Sequence, residues 1–296
     1  MRMHTRWIQA PLTALLLCCE TATAIAPFGP PRATIGSGRW TFGVDYSHQK
    51  IDMQSFGIYR EGYVDDTTWY CKYNQFDLTE LESNLIFGKI GYGLGDTWDL
   101  FARVGVSDAQ GNLAVPSLAS DGLPPTQFFM GDEQLSLDHG FGLACGVGSR
   151  MTFVETGDLA LGTIVQMTWL QPGESQSSFT DTDLVGDPIA IDATIDLSYW
   201  EIQLALGATL NLGNLWAYGG PFVYFATGDL DIDGTWSDVA TGSGSIRASH
   251  DVREESNFGA YGGFQVNLAD TSCLYFEGLV TGDGWGVGVG GVWRLD

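Results

Sequence analysis

The chain has 296 residues with 36 acidic against 13 basic side chains, a net charge of −23. That balance excludes a nucleic-acid partner, because phosphate contacts need a basic surface. Forty glycines, 12% aromatic and 17% charged residues are unlike an ordinary soluble enzyme; past the N-terminus there is no apolar run of about 18 residues that would make a membrane helix. A transmembrane β-barrel escapes that test, since its apolar residues are spread over alternate positions.

Met1 to Ala24 reads as a secretory signal, with Arg2 and Arg6 ahead of the apolar Trp7 to Cys19 and the small-residue site Ala22-Thr23-Ala24. Leu17 stands before Cys18 where a lipoprotein anchor would want a small residue. Residues 25–37 carry Pro27, Pro30 and Pro31 and are expected to form an irregular leader. Residues 38–296 are expected to form the barrel. Cys71, Cys145 and Cys273 are odd in number and lack metal-ligand spacing, so they read as isolated apolar fillers.

The first strand begins sharply. Trp40, Phe42, Val44, Tyr46 and His48 alternate with Thr41, Gly43, Asp45, Ser47 and Gln49, a period of two that a helix cannot satisfy. Met53 to Glu80 reads as a long polar loop. Ile86 to Leu94 and Trp98 to Val106 alternate on either side of the tight turn Gly95-Asp96-Thr97, and Asp108 to Asp138 is the second long loop. Phe141 to Arg150 and Leu159 to Trp169 flank Thr156-Gly157-Asp158, with Gln171 to Ile191 following as a third loop. Trp200 to Leu210 turns at Asn211 to Asn214 into Leu215 to Phe225, which is apolar on both parities. Trp216, Tyr218, Phe222 and Tyr224 are expected to face outward there. Asp233 to Glu255 is the fourth long loop. Phe258 to Leu268 turns at Asp270-Thr271-Ser272 into Leu274 to Val280, and Thr281 to Gly284 leads into the last strand.

That last strand, Trp285 to Asp296, puts Trp285, Val287, Val289, Trp293 and Leu295 on one face and mostly glycine on the other. Aromatics bracketing an apolar band, opposite a bare face, suit lipid outside and a crowded lumen inside. Ten strands result, joined by turns sorted into tight ones at one end and long ones at the other. The exception is the short connection Thr281 to Gly284. An all-β, antiparallel transmembrane β-barrel of about ten strands is the expected fold, with short periplasmic turns, long extracellular loops and no unpaired edge.

The alternation, the segment Phe101-Ala102-Arg103-Val104-Gly105 and the glycine-rich closing strand resemble the small outer-membrane β-barrels of Gram-negative bacteria, porin-like and opacity-type barrels among them, over about Gly38 to Leu295. The resemblance implies an outer-membrane location, lipid and the barrel-assembly machinery as partners, and no cofactor. The chain departs from that family at its end, where Trp293 is followed by Arg294, Leu295 and Asp296 instead of a terminal aromatic.

Inward parity collects Asp45, Lys89, Asp99, Arg103, Arg150, Glu201 and Glu277, with Gln166 and Gln203. A charge facing lipid at mid-depth costs roughly 2–4 kcal/mol for Arg or Lys, so these side chains belong in the lumen. Paired there, they would plug it; solvated, they would line a narrow path for small polar solutes or ions. Asp229, Asp231 and Asp233 open a D-x-D-x-D-G pattern, but its twelfth position is Ala240, not Glu, which leaves a weak candidate for a cation or a run of solvated acids on a strand. Omptin-like proteases also have ten strands, with paired aspartates and a His-Asp pair at the outer mouth. Asp65-Asp66 and His250-Asp251 are the positions here that compare with them, without a longer motif. No catalytic residue is assigned, and the expected role is structural or surface-binding, possible ligands being an extracellular molecule or a small solute.

Overall fold

The computed structural model describes residues 27–63, 69–115, 133–182, 188–238 and 242–295. The expected signal Met1 to Ala24 and the pair Asp65-Asp66 lie outside them. β1 (Trp40–Tyr63) and β2 (Trp69–Gly93) form the first hairpin, followed by β3 (Trp98–Val115) and β4 (Glu133–Thr156). β5 (Leu159–Gln171) resumes after residues 172–174 as β6 (Ser175–Thr182), which returns as β7 (Pro188–Asn211). β8 (Leu215–Asp238) folds back as β9 (Gly242–Glu254), which resumes after residues 255–257 as β10 (Phe258–Ala269). β11 (Ser272–Thr281) and β12 (Gly284–Leu295) end the chain.

The strands are antiparallel throughout, and the ladders run β1-β2-β3-β4-β5-β7-β8-β10-β11-β12 and back to β1, a closed ring of ten at the end that carries the tight turns. Away from that end the ring changes. β12 leaves β1 at the pair Ile51↔Gly284, and from Met53↔Glu254 onward β9 takes its place. The β11–β12 hairpin has stopped, so β8, β9 and β1 now adjoin directly and the barrel narrows. Because β1 holds 24 residues at about 3.3 Å each, it is about twice as long as a tilted bilayer crossing needs. The described parts of the long connections read from sequence as loops are therefore largely strand: Met53 to Glu80, for instance, belongs to the upper part of the β1–β2 hairpin, paired from Met53↔Leu78 to Gly62↔Trp69.

On β1 and β7 parity is kept while the chemistry inverts, whereas irregularities at Thr79–Glu82 of β2 and at residues 140–141 of β4 switch which parity faces inward. On β1 the outward Trp40, Phe42, Val44 and Tyr46 are exposed and apolar, and the inward Asp45, Ser47 and Gln49 are buried and polar. Past Gln49 the buried positions become Ile51 and Met53, and the outward ones Lys50, Asp52 and Gln54. β7 turns over in the same way. Trp200, Ile202, Leu204 and Leu206 are exposed opposite buried Glu201 and Gln203, whereas Ile191, Ile195 and Leu197 are buried opposite Asp192, Asp196 and Ser198. The wide section is built for lipid outside and polar side chains inside. The tall section is built for water outside and an apolar core inside, where Phe76, Leu78, Leu113, Leu230, Trp236 and Val252 are buried. The long polar segments escaped recognition as strands because in them the apolar positions are the hidden ones.

β8 corrects a second expectation. Tyr218, Phe222 and Tyr224 are buried and point inward, and Trp216 lies at the mouth of the turn end. The strand is apolar on both faces since its inner face meets apolar leader residues, described below. The tall section depends on close main-chain approach at Gly57, where a Cβ would stand 2.0 Å from the Ser249 carbonyl oxygen and 2.5 Å from His250 Cα. Gly57→Ala should part β1 from β9 and leave the belt closed. Retained heat-modifiable migration on gels, with new protease cleavage within β9, is the expected outcome; loss of heat-modifiability would show that the two sections close as one.

Candidate functional site

The lumen of the wide section is filled by the chain's own leader. Residues 27–37 are irregular, as expected, but they climb from the turn end into the barrel instead of trailing from it. Phe28 is fully buried, with its ring centroid 5.4 Å from that of Phe222 and 4.9 Å from that of Tyr261. Two carboxylates each hold two consecutive leader amides. Glu277 accepts from Phe28 N at 2.6 Å and Gly29 N at 2.9 Å. Asp99 accepts from Thr34 N at 2.7 Å and Ile35 N at 3.3 Å. The left-handed φ of Gly29, 73°, lets both amides turn to one side, the geometry of an anion-binding nest. Leader carbonyls are taken by arginines, Phe28 O by Arg150 Nη2 at 3.2 Å and Thr34 O by Arg294 Nη2 at 3.2 Å. Ala33 N donates to Thr152 Oγ1 at 2.8 Å. An irregular segment in a barrel has no ladder, so its buried backbone groups need side-chain partners, and the inward charges supply them.

Of the remaining lumen charges, Lys89 lines a small space together with Pro30, Thr34 and Ile35 of the leader. Lys89 Nζ is 2.8 Å from Asp45 Oδ2, and the Tyr275 hydroxyl donates to Asp45 Oδ1 at 2.5 Å. Lys89 also faces the Phe101 and Tyr275 rings at 5.3 and 5.5 Å, a favourable placement for a cation in an apolar surround. Arg103 donates through Nη2 to Thr168 Oγ1 and lies over the Phe87 ring at 4.7 Å. Glu201 accepts from Gln49 and Gln203, each at 3.5 Å, and Gln166 donates to Gln203. The seven charges picked out by parity therefore fall into three sets. Asp45 and Lys89 pair with each other, Asp99, Arg150 and Glu277 hold the leader, and Arg103 and Glu201 are met by neutral polar groups. Thr152 and Tyr275 were missed; Tyr275 shares the inward parity of Glu277 and was legible on that ground.

Asp229, Asp231 and Asp233 are exposed along the outer face of β8 in the tall section. Spaced by two residues on one face, they stand about 7 Å apart, too far to converge on a single ion, and Asp233 pairs with Arg247 at 3.2 Å. His250 is buried in the tall core, stacked on Phe76 with centroids 4.2 Å apart, while Asp251 points the other way, to the surface. The two do not form a dyad. Cys145 and Cys273 are free thiols, on the lipid-facing and inward parity of their strands respectively.

Above the leader the path is closed by Gln49, Tyr199 and Glu201 and then by the apolar core. Below it, a vestibule of about 450 Å³ opens at the turn end among Asn214, Gln265, Asn267, Cys273 and Arg294. It shrinks to about 40 Å³ beside Lys89, Asp99 and Arg150, room for a very few waters.

Burial pushes the His250 imidazole down to about 4, against an ordinary 6.5. Its folded-state value is depressed, so its contribution is present above pH 6.5 and is lost as pH falls from there toward 4, by about 3 kcal/mol. The fall in urea-unfolding free energy between pH 7.5 and 4 should be larger in the native chain than in His250→Phe by about that amount; equal falls would refute the assignment. Lys89→Met should destabilise the barrel by about 3–5 kcal/mol, since Asp45 is left buried without its cation; urea unfolding in detergent measures it. At Gly288 the three atoms nearest to an added Cβ all belong to Pro27, two of them at 2.7 Å. Gly288→Val should thus unseat the leader while the barrel still folds, read as new protease sensitivity near residue 27.

No family model matches this sequence, and no curated protein matches it. Among solved structures the chain is similar to the outer membrane protease OmpT from Escherichia coli, at 10% identity and a TM-score of 0.37 over 86% of this chain and 94% of that one. It is similar to the Ralstonia pickettii toluene transporter TbuX, at 12% identity and a TM-score of 0.36 over 88% and 90%. The β domain of the Bordetella autotransporter BrkA gives 11% identity and a TM-score of 0.37 over 88% and 100%. A protease, a transporter and an autotransporter domain are three different occupations, and none is transferred to this chain.

Proposed function

We propose that this chain is a non-enzymatic outer-membrane β-barrel whose lumen is shut by its own leader and whose activity lies in surface binding by the tall section. The observation that carries this reading is the seating of the leader, with Glu277 and Asp99 each holding two of its amides. A segment so fixed by buried charge does not make room for a solute. The core beyond it, where Phe76, Leu78, Leu113, Leu230 and Val252 are buried, is a second barrier. A tall section with a watery exterior is more than spanning requires, and its acidic outer face, with Asp192, Asp229 and Asp231 exposed, is the surface it offers. In this reading the tight turns lie in the periplasm and the tall section stands outside the cell, and a secretory signal delivers the chain.

The vestibule favours a second reading, a narrow channel opened when the leader leaves. Planar-bilayer recording separates the two. The native barrel should not conduct, and a chain lacking residues 27–37 should conduct or leak if the leader is the main obstruction. Steady single-channel current from the native barrel would overturn the plugged reading. Orientation is tested by maleimide labelling of intact cells. Ser243→Cys, at the tall end, should label without permeabilisation and Asp158→Cys, in a tight turn, should not; the reverse pattern would invert the topology.

A further inference from the structure

Among the described residues, the tall section is not laddered all the way round. β4 and β5 are laddered as far as Leu143↔Gln171, and beyond that point, among the described residues, no ladder joins β4 to β6. The two strands touch at an apex, where Gly173 N donates to Gly140 O at 2.8 Å and His139 Nδ1 lies 2.6 Å from Gly173 O. One step higher, Asp138 N donates to the Ser175 hydroxyl at 3.0 Å, a side chain where a ladder would present a carbonyl. Farther up, β4 pairs with β3 as far as Val115↔Glu133, and β6 pairs with β7 through to Thr182↔Pro188. In an antiparallel ladder alternate residues turn their amide and carbonyl away from the neighbour. Each strand therefore carries a row of backbone groups directed at the split.

Free edges of this kind are usually blunted by proline, lysine or a bulge. β6, Ser-Gln-Ser-Ser-Phe-Thr-Asp-Thr, contains neither proline nor lysine, and neither does the facing part of β4, residues 133–140; the irregularity of β4 at residues 140–141 lies at the foot of the split, below this stretch. The chemistry of the two sides differs. Leu137 and Ile191 are buried on the inner side, whereas Ser136, Asp138, Glu174, Gln176 and Asp192 are exposed on the outer side.

We infer that this split is a strand-addition site, which takes an extended segment of a partner polypeptide with apolar residues alternating with basic ones. Main-chain bonds to the β6 edge supply affinity, as in other cases of added strands. Apolar side chains of the guest extend the tall core, and its basic side chains meet Asp138, Glu174 and Asp192. The inference rests on the surface-binding reading above and names the kind of partner it serves.

The probes are two dye-labelled peptides of about eight residues, matched to the eight of β6, one alternating valine with lysine and the other valine with glutamate. The full barrel is held in zwitterionic detergent, and binding is followed by anisotropy and by amide hydrogen exchange. The lysine peptide should bind at least about tenfold tighter than the glutamate peptide and slow exchange across Ser175–Thr182 by about tenfold or more, without changing β11. Successive residues of a strand aim their amides to opposite sides, so one of Ser177→Pro and Ser178→Pro strikes the free edge and the other the β7 ladder. The edge-directed variant should keep heat-modifiable migration and lose the peptide. Exchange in β6 unaltered at saturating peptide, or already as slow as in β7 without peptide, would overturn the inference, as would unchanged binding by both proline variants. A conducting native barrel would overturn the surface-binding reading alone; unaltered β6 exchange in a non-conducting barrel would overturn the strand-addition site alone.

Discussion

Everything in the wide section depends on one constraint, that a peptide group in lipid must find its hydrogen bond within the protein. A sheet satisfies it by closing on itself, and here closure falls to β1, which meets β2 on one side and β12 on the other. Once water replaces lipid the constraint relaxes. The ring can then lose the β11–β12 hairpin, take β9 against β1 instead, and tolerate a split between β4 and β6. These departures from a closed ring lie where the solvent permits them.

The same ring encloses a space that side chains alone do not fill on the β8 and β10 side. Leader residues complete it, Phe28 among aromatic rings and the leader backbone against carboxylates and arginines. Buried charges are expensive unless partnered, and for Asp99, Arg150 and Glu277 the partners are backbone dipoles of an irregular segment. That explains why Glu277 and Asp99 stand in a lumen where, among the described residues, no arginine or lysine forms a direct ion pair with either. Their counterparts are pairs of leader amides, Phe28 and Gly29 for Glu277, where Gly29 sets the turn, and Thr34 and Ile35 for Asp99.

Strand direction and facing in the belt were legible in the sequence because one face of each strand there has a single solvent, lipid, and a single composition. Asp45, Lys89, Asp99, Arg103, Arg150, Glu201 and Glu277 were recognisable as inward by the same parity. What they touch was not, since a leader of prolines and glycines carries no period that would place it inside. β8 failed for a related reason: its inner face packs on Phe28, so both parities looked like lipid contact. The strands of the tall section were read as loops because the polar half of their alternation dominated. A strand such as β7, whose polarity turns over between Leu197 and Trp200, shows one pattern in two phases, and a search for apolar outward positions finds only the first.

The step at which β1 exchanges β12 for β9 has a consequence for the order of events in assembly. The pair Trp40↔Leu295 joins the first strand made to the last, so the belt cannot shut until the whole chain has been delivered, and contacts that distant form slowly. The pairs from Met53↔Glu254 to Tyr63↔Gly244 need only the chain as far as β9. The tall section is thus able to zip first and present a half-made cylinder, with β1 held at one end and loose at the other. The leader is joined directly to that loose end. It is therefore beside the gap when β12 arrives, and filling the lumen and closing the wall become a single late event.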